Sequence, residues 1–157
     1  MIVILVLAVI FLAYQSTVQK MVSKVKRPYT DKPWYGHLKF QATFRRIPEN
    51  VALSMVRQES GGNEKALGSA GEVGLFQLKK GVAIDYEQSV GIQLDINDVE
   101  DNITLGLWYV AHLRDRWKLS LTDALLAYNS GIGNYLDGRI QNKTYASQIL
   151  ERAEAWA

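Results

Sequence analysis

Residues 51–62 read VALSMVRQESGG, and this stretch decides how the chain is organised. Val51, Ala52, Met55 and Val56 recur at helix spacing and trace one apolar stripe. Glu59 falls at the end of that stripe, immediately before Ser60, Gly61 and Gly62. Pro48 suits the first turn of the helix, which is expected to run to about Ser60. A carboxylate on the inward side of a helix is costly, because burial disfavours its charged form and raises its pKa. A carboxylic acid raised toward neutrality still holds a proton to donate near pH 7, the property that cleavage of a glycosidic bond demands. The ordinary fate of a lone Glu at a helix end is solvent exposure, so a working acid needs partners elsewhere in the chain.

Downstream of this helix, Gly61, Gly62, Gly68, Gly71 and Gly74 mark a loop-rich stretch, with a short extended piece at Leu75 to Leu78. A second helix is expected over Lys79 to Ser89, with Val82, Ala83, Tyr86 and Val90 on one side. Asp98 caps the longest helix, whose apolar stripe is Ile103, Leu107, Val110, Leu113 and Trp117. Ser120 and Asp123 form a capping-box pattern for a fourth helix through Tyr128. Gly131, Gly133 and Gly138 interrupt again before a last helix from about Thr144 to Ala155. The fold class is therefore mainly α, with glycine-rich loops between helices.

The 157 residues, 48% of them hydrophobic, fit one membrane-associated segment and one compact domain. The lack of cysteine excludes disulfides, thiolate zinc sites and a cysteine nucleophile. His37 and His112 stand far apart without a helical i, i+4 partner, so no metal site and no cofactor are expected. Residues 1–47 carry eight Lys or Arg against Asp31 alone, whereas the remainder carries ten basic and fifteen acidic residues. Positive charge concentrated beside an apolar terminus points to a membrane surface, not to nucleic acid.

Ile2 to Ala13 is unbroken apolar and, with Tyr14, Val18, Met21 and Val22, extends toward the lower limit for crossing a bilayer. A cleaved signal peptide is the rival; the missing basic residue ahead of the run, Tyr14 and the basic flank favour a retained anchor. The positive-inside rule would hold the Lys20 to Lys32 cluster, and the domain after it, on the cytoplasmic side. A wall-facing domain requires either that the rule is overridden or that the membrane belongs to a particle such as a phage. The expected division is a hydrophobic transmembrane anchor at 1–22, an irregular basic and aromatic connector at 23–47, and the helical domain at 48–157. Within the connector, Tyr29, Trp34 and Tyr35 suit either the membrane interface or packing against the domain.

Three further segments carry candidate chemistry. In the loop Ser69 to Gln77, Gly71 and Gly74 permit close backbone approach or positive φ, and Gln77 offers the donor and acceptor that an acetamido sugar requires. Phe76 stacks on a sugar or fills core. Tyr128 and Asn129, side by side at a helix end, are both able to face a cleft, although Asn129 also suits a C-terminal cap. Tyr145, near the start of the last helix, adds an aromatic hydroxyl that is either in the cleft or half-buried in core.

In this order the segments resemble the catalytic domain of the soluble-type lytic transglycosylases, a family with a lysozyme-like fold. The resemblance covers about Pro48 to Ala153. It includes Glu59-Ser60-Gly61; Ser69 to Gln77, similar to the family's Gly-Leu-Met-Gln motif; Asn102-Ile103, Gly106, Tyr109 and Leu113; Ala127 to Gly131; and Tyr145 with Ile149. It implies peptidoglycan glycan strands as the partner and Glu59 as the one essential carboxylate, acid then base, closing a 1,6-anhydromuramoyl ring. By the same resemblance Ser60 orients Glu59 or an acetamide, Gln77 and Asn129 hydrogen-bond sugars, and Tyr128 and Tyr145 line the cleft. Phe76 stands where the family has methionine, Lys79 where proline is frequent, and Glu72 where a small or apolar residue is usual. A second carboxylate, from Glu72, Asp85 or Glu87, would instead suit a hydrolytic muramidase. A non-catalytic membrane or virion protein using the fold to hold glycan is the third reading. Joined to the anchor, the resemblance implies a membrane location, the lipid bilayer as a further partner, and service to a secretion machine or a virion.

Overall fold

The computed structural model describes residues 10–15 and 27–157. Its helices are α1 (Tyr35–Phe44), α2 (Glu49–Glu59), α3 (Lys80–Val90), α4 (Val99–Arg116), α5 (Leu121–Ser130), α6 (Ile132–Leu136) and α7 (Tyr145–Ala155). Among the described residues β structure amounts to isolated antiparallel bridges, Val73 pairing with Leu67 and with Leu78.

Two helices form the centre. In α2 every residue from Val51 to Val56 is buried, and in α4 burial is continuous from Asn102 to Trp108. Such all-round burial marks helices surrounded by others instead of lying on a surface. Against α2 lies α7, stitched by polar groups: Asn50 Nδ2 donates to Ala153 O (2.8 Å), and Ser54 Oγ donates to Ile149 O (2.8 Å). Arg152 adds bonds to Ser54 O (3.2 Å) and Gln58 Oε1 (3.1 Å). These pairings rise along α2 as they fall along α7, so the two helices run antiparallel. The predicted caps are present. Asp98 Oδ1 accepts from the Glu100 and Asp101 N–H groups (2.9 and 3.0 Å), and Ser120 Oγ accepts from Asp123 N–H (3.1 Å).

The expectation of a membrane-spanning N-terminal helix is corrected. Among the described residues no helix is long and apolar enough to cross a membrane. Of the proposed anchor, residues 10–15 are described, and they are helical. The rest of residues 1–22 lies outside the described residues. With it go the fold-class element, the bilayer partner and the membrane location that depended on that helix.

Nor is the connector irregular throughout, since Tyr35–Phe44 within it form α1. Trp34, Leu38 and Ala42, four residues apart, form an apolar stripe that buries α1 against α2 and α4. His37 Nε2 pairs with Thr104 Oγ1 (2.8 Å), and Tyr35 Oη donates to Glu49 Oε1 (2.6 Å). Tyr29 rests on Gly62, where an added Cβ would come within 2.3 Å of the tyrosine ring. The aromatics proposed for a membrane interface are therefore engaged with the domain itself.

The stretch 75–78 is a tight turn instead of an extended piece. Val73 and Leu78 exchange both backbone bonds (3.0 Å each), with Gly74 at φ 79° and Gln77 at φ 44°. Asn102 pins this turn to α4. Its Oδ1 accepts from Phe76 N–H (3.0 Å), while its Nδ2 donates to Val73 O and Ile96 O (2.9 Å each). Gly74 makes the approach possible, since a Cβ there would lie 2.4 Å from Asn102 Nδ2. Replacing Asn102 with Ala strands the buried Phe76 N–H, takes the side-chain donor from Ile96 O and leaves Val73 O with the Leu78 N–H alone, and is expected to cost about 2–4 kcal/mol of unfolding free energy in urea titration. A loss under about 0.5 kcal/mol would contradict this pinning role.

Candidate active site

Glu59 is the last residue of α2, and its carboxyl opens on a groove of about 460 Å³. The groove runs between the 71–79 loop, the first half of α3 and the C-terminal end of α5. Gln77, Tyr128 and Asn129 line it with Glu59, so four of the seven residues proposed from sequence meet there. They arrive from three segments. The end of α2 supplies the acid, the pinned turn supplies Gln77, and the termination of α5 at Gly131 (φ 80°) leaves Tyr128 and Asn129 facing the cleft.

Tyr145 reaches Glu59 from the core side. It is buried, and its hydroxyl donates to Glu59 Oε1. Burial pushes the Glu59 carboxyl from its ordinary 4.5 up to about 7; the Tyr145 bond pulls it down, and the charge of Glu72 raises it further. Burial comes first, so the site is built to hold a proton. Burial and the charge on Glu59 also push the Tyr145 and Tyr128 hydroxyls well above the usual tyrosine range, which keeps both neutral donors.

The remaining proposed residues occupy other places. Phe76 is fully buried (0% exposed) against Gly106, where a Cβ would meet the ring at 2.4 Å, so it does not stack on a sugar. Its contribution comes through the backbone: Phe76 O accepts from Tyr128 Oη at 2.6 Å and thereby orients that ring. Ser60 Oγ donates to Val56 O and accepts from Gly62 N–H (both 3.2 Å), closing the end of α2. Gln77 spends its amide N–H groups on Ala66 O (3.1 Å) and Gly74 O (3.0 Å). The acetamide donor expected of Gln77 is thus committed to the loop, leaving Oε1, close to Gly68, as its acceptor.

Tyr109, Lys79 and Asp85 are among the groove residues that fall outside the sequence-proposed set. Tyr109 packs at 5.7 Å from the Tyr128 ring, and burial, then Asp85, raises its hydroxyl. Its signal was present in the sequence, three positions after Gly106 on the longest helix, but a tyrosine there is equally a core residue. Asp85, one of the candidate second carboxylates, lines this groove, whereas Glu87, another, lies on a separate hollow across α3.

Residues 38–150 match the protein family described as the transglycosylase SLT domain. Soluble lytic murein transglycosylases of Escherichia coli K12 and of Escherichia coli O157:H7 are each 29% identical over 94 residues, which is 57% of this chain. The chain spans 15% of the length of these curated relatives. Among solved structures, an inactive mutant of the lytic transglycosylase Slt from Pseudomonas aeruginosa superposes with a TM-score of 0.70 at 21% identity. That match covers 84% of this chain and 24% of the other. The 70-kDa soluble lytic transglycosylase of Escherichia coli gives 0.70 at 22% identity, covering 83% and 24% respectively. These likenesses show a shared fold.

The raised carboxyl has a consequence for stability. Because the folded pKa of Glu59, about 7, exceeds the ordinary 4.5, the folded state binds this proton more tightly than the unfolded state. The resulting stability is complete below about pH 4.5 and is lost as pH rises through about 7. Glu59→Gln, neutral at every pH and still able to accept from Tyr145, is expected to exceed the native chain in stability at pH 8 by on the order of 2 kcal/mol. The difference should close near pH 4. Thermal melts at the two pH values measure it, and equal melting points at pH 8 would contradict the burial of the carboxyl.

Proposed function

The chain belongs to the transglycosylase SLT domain family, and on that premise we propose that it is a peptidoglycan lytic transglycosylase with Glu59 as acid and then base. One observation carries this reading: a helix-end carboxyl that faces a groove of about 460 Å³ and whose burial raises its pKa to about 7. The substrate is the β-1,4 bond between N-acetylmuramic acid and N-acetylglucosamine. Glu59 transfers its proton to the glycosidic oxygen as the bond to the muramoyl C1 breaks. The resulting carboxylate takes the proton of the muramoyl 6-hydroxyl, whose oxygen bonds to C1 and closes the 1,6-anhydro ring. No water is consumed, and Glu59 ends protonated, ready for another turnover.

A carboxyl poised near neutrality suits both halves, since it is acidic enough to give the proton and basic enough to recover it. The Tyr145 hydroxyl supports the middle of the cycle. Its hydrogen bond favours the ionised carboxylate that exists between the two transfers. Tyr128, held by Phe76 O, and Asn129 and Gln77 Oε1 present polar groups to the sugars. Glu72 in the same groove favours a hydrolytic alternative, in which a second carboxylate activates water.

Mass spectrometry of digested peptidoglycan separates the two. Anhydro-muropeptides are the expected product, whereas fragments ending in a reducing sugar would establish hydrolysis. Glu59→Gln is expected to lose activity by about a thousandfold or more, while keeping the native fold by circular dichroism. Activity within about tenfold of the native chain would remove Glu59 from the acid role.

A further inference from the structure

Glu72 lies in the loop between α2 and α3, at a position where the sequence resemblance leads one to expect a small or apolar residue. It lines the same groove as Glu59. Its place is fixed at both oxygens. Oε2 accepts from the Ala70 N–H (3.0 Å), and Oε1 is 3.4 Å from Lys79 Nζ. Gly68 makes room for it: a Cβ there would meet Glu72 Oε2 at 2.4 Å and Gln77 Oε1 at 2.8 Å. The side chain of Glu72 is 24% exposed, so its charge is only partly shielded by water. Its own backbone N–H, then that of Ala70, and then Lys79 hold this carboxyl below the usual range. One groove thus contains a carboxylic acid kept neutral and a carboxylate kept charged, an arrangement that separates acid from anion by environment.

We propose that Glu72 is a positioning residue for Glu59: an anion fixed in the groove wall that keeps the proton on the acid until glycan arrives. This rests on Glu59 being the acid. The other groups facing Glu59 come from every neighbouring element. Tyr145 on α7 favours the ionised form, Tyr128 on α5 and Tyr109 on α4 are neutral, Asp85 on α3 is acidic and exposed, and Lys79 is the cation. Lys79 is paired to Glu72, so it offsets the anion in part, and the two side chains set the proton affinity of Glu59 in opposite directions.

The test is the pH dependence of peptidoglycan cleavage by the native chain, Glu72→Gln, Glu72→Asp and Lys79→Met, with Glu59→Gln as control. Activity falls on the alkaline side as the acid loses its proton. Glu72→Gln removes the repelling charge, so this limb should move to lower pH by about half a pH unit or more, with the rate at pH 7 falling about twofold. Glu72→Asp retains the charge and should restore the limb toward the native position. Lys79→Met leaves the anion uncompensated and should move the limb to higher pH. A uniform loss of rate in Glu72→Gln with an unmoved limb marks a merely structural loop residue and overturns the proposal. If Glu72→Gln does not fold, an unmoved limb in Lys79→Met overturns it equally. Should Glu59→Gln stay active, it is the acid assignment that fails, a result distinct from an unmoved limb beside an inactive Glu59→Gln.

Discussion

The antiparallel register between α2 and α7 is the constraint on which the rest depends. Asn50 meets Ala153, Ser54 meets Ile149, and Glu59 meets Tyr145, so the polar bonds that lock the helices also deliver the tyrosine to the carboxyl. A slip of one turn, ~5.4 Å along the axis, would unpair the buried Ser54 hydroxyl and carry Tyr145 away from Glu59. Stability and site geometry are thereby coupled. The helix pair is unable to relax its register without losing bonds in the core, and that rigidity holds a half-buried acid in one orientation.

The far wall of the groove is built by a second device, the docking of the 73–78 turn onto α4. Asn102 supplies side-chain partners to the Phe76 N–H and Val73 O of the turn and to Ile96 O beside it. Gly74 and Gly106 are the points where this turn and α4 come into close contact, one backbone against Asn102 and the other against Phe76. With Phe76 held in core, its carbonyl becomes the acceptor that orients Tyr128, and the next residue, Gln77, turns toward the groove. A residue that looks like a sugar platform thus acts through its backbone.

Much of the helical framework was legible locally. Pro48, Asp98 and Ser120 with Asp123 signal helix starts by the hydrogen-bonding chemistry of their own side chains or rings, and the apolar stripes of α2 and α4 follow a period that needs no distant partner. Helix α1 escaped the same reading for a physical reason. Phe40 and Phe44 stack at 6.2 Å on its exposed face, so apolar residues occur on both sides and blur the stripe of Trp34, Leu38 and Ala42. The five-residue α6 follows Gly131 and begins without a side-chain cap, which leaves little for pattern alone to detect. Membrane character was inferred from hydropathy and flanking charge, whereas Tyr29, Trp34 and Tyr35 turned out to be engaged with the domain through the Gly62 contact, burial and the Glu49 bond.

By itself the sequence determined which groups were available and where several helices break: a carboxyl at the end of an apolar helix, glycine at the exits of α2, α3 and α5, and Gln77, Tyr128 and Asn129 beside glycines. These follow from covalent order and from interactions within a turn or two of helix. Only the tertiary structure decided the proton affinity of Glu59, because desolvation and charge act through space. The hydroxyl bonded to that carboxyl lies 86 residues away along the chain, and the nearby charge comes from a loop on the other side of the groove. The same holds for Phe76, whose fate turned on the bare backbone of Gly106 opposite its ring, a neighbour that local pattern does not reveal.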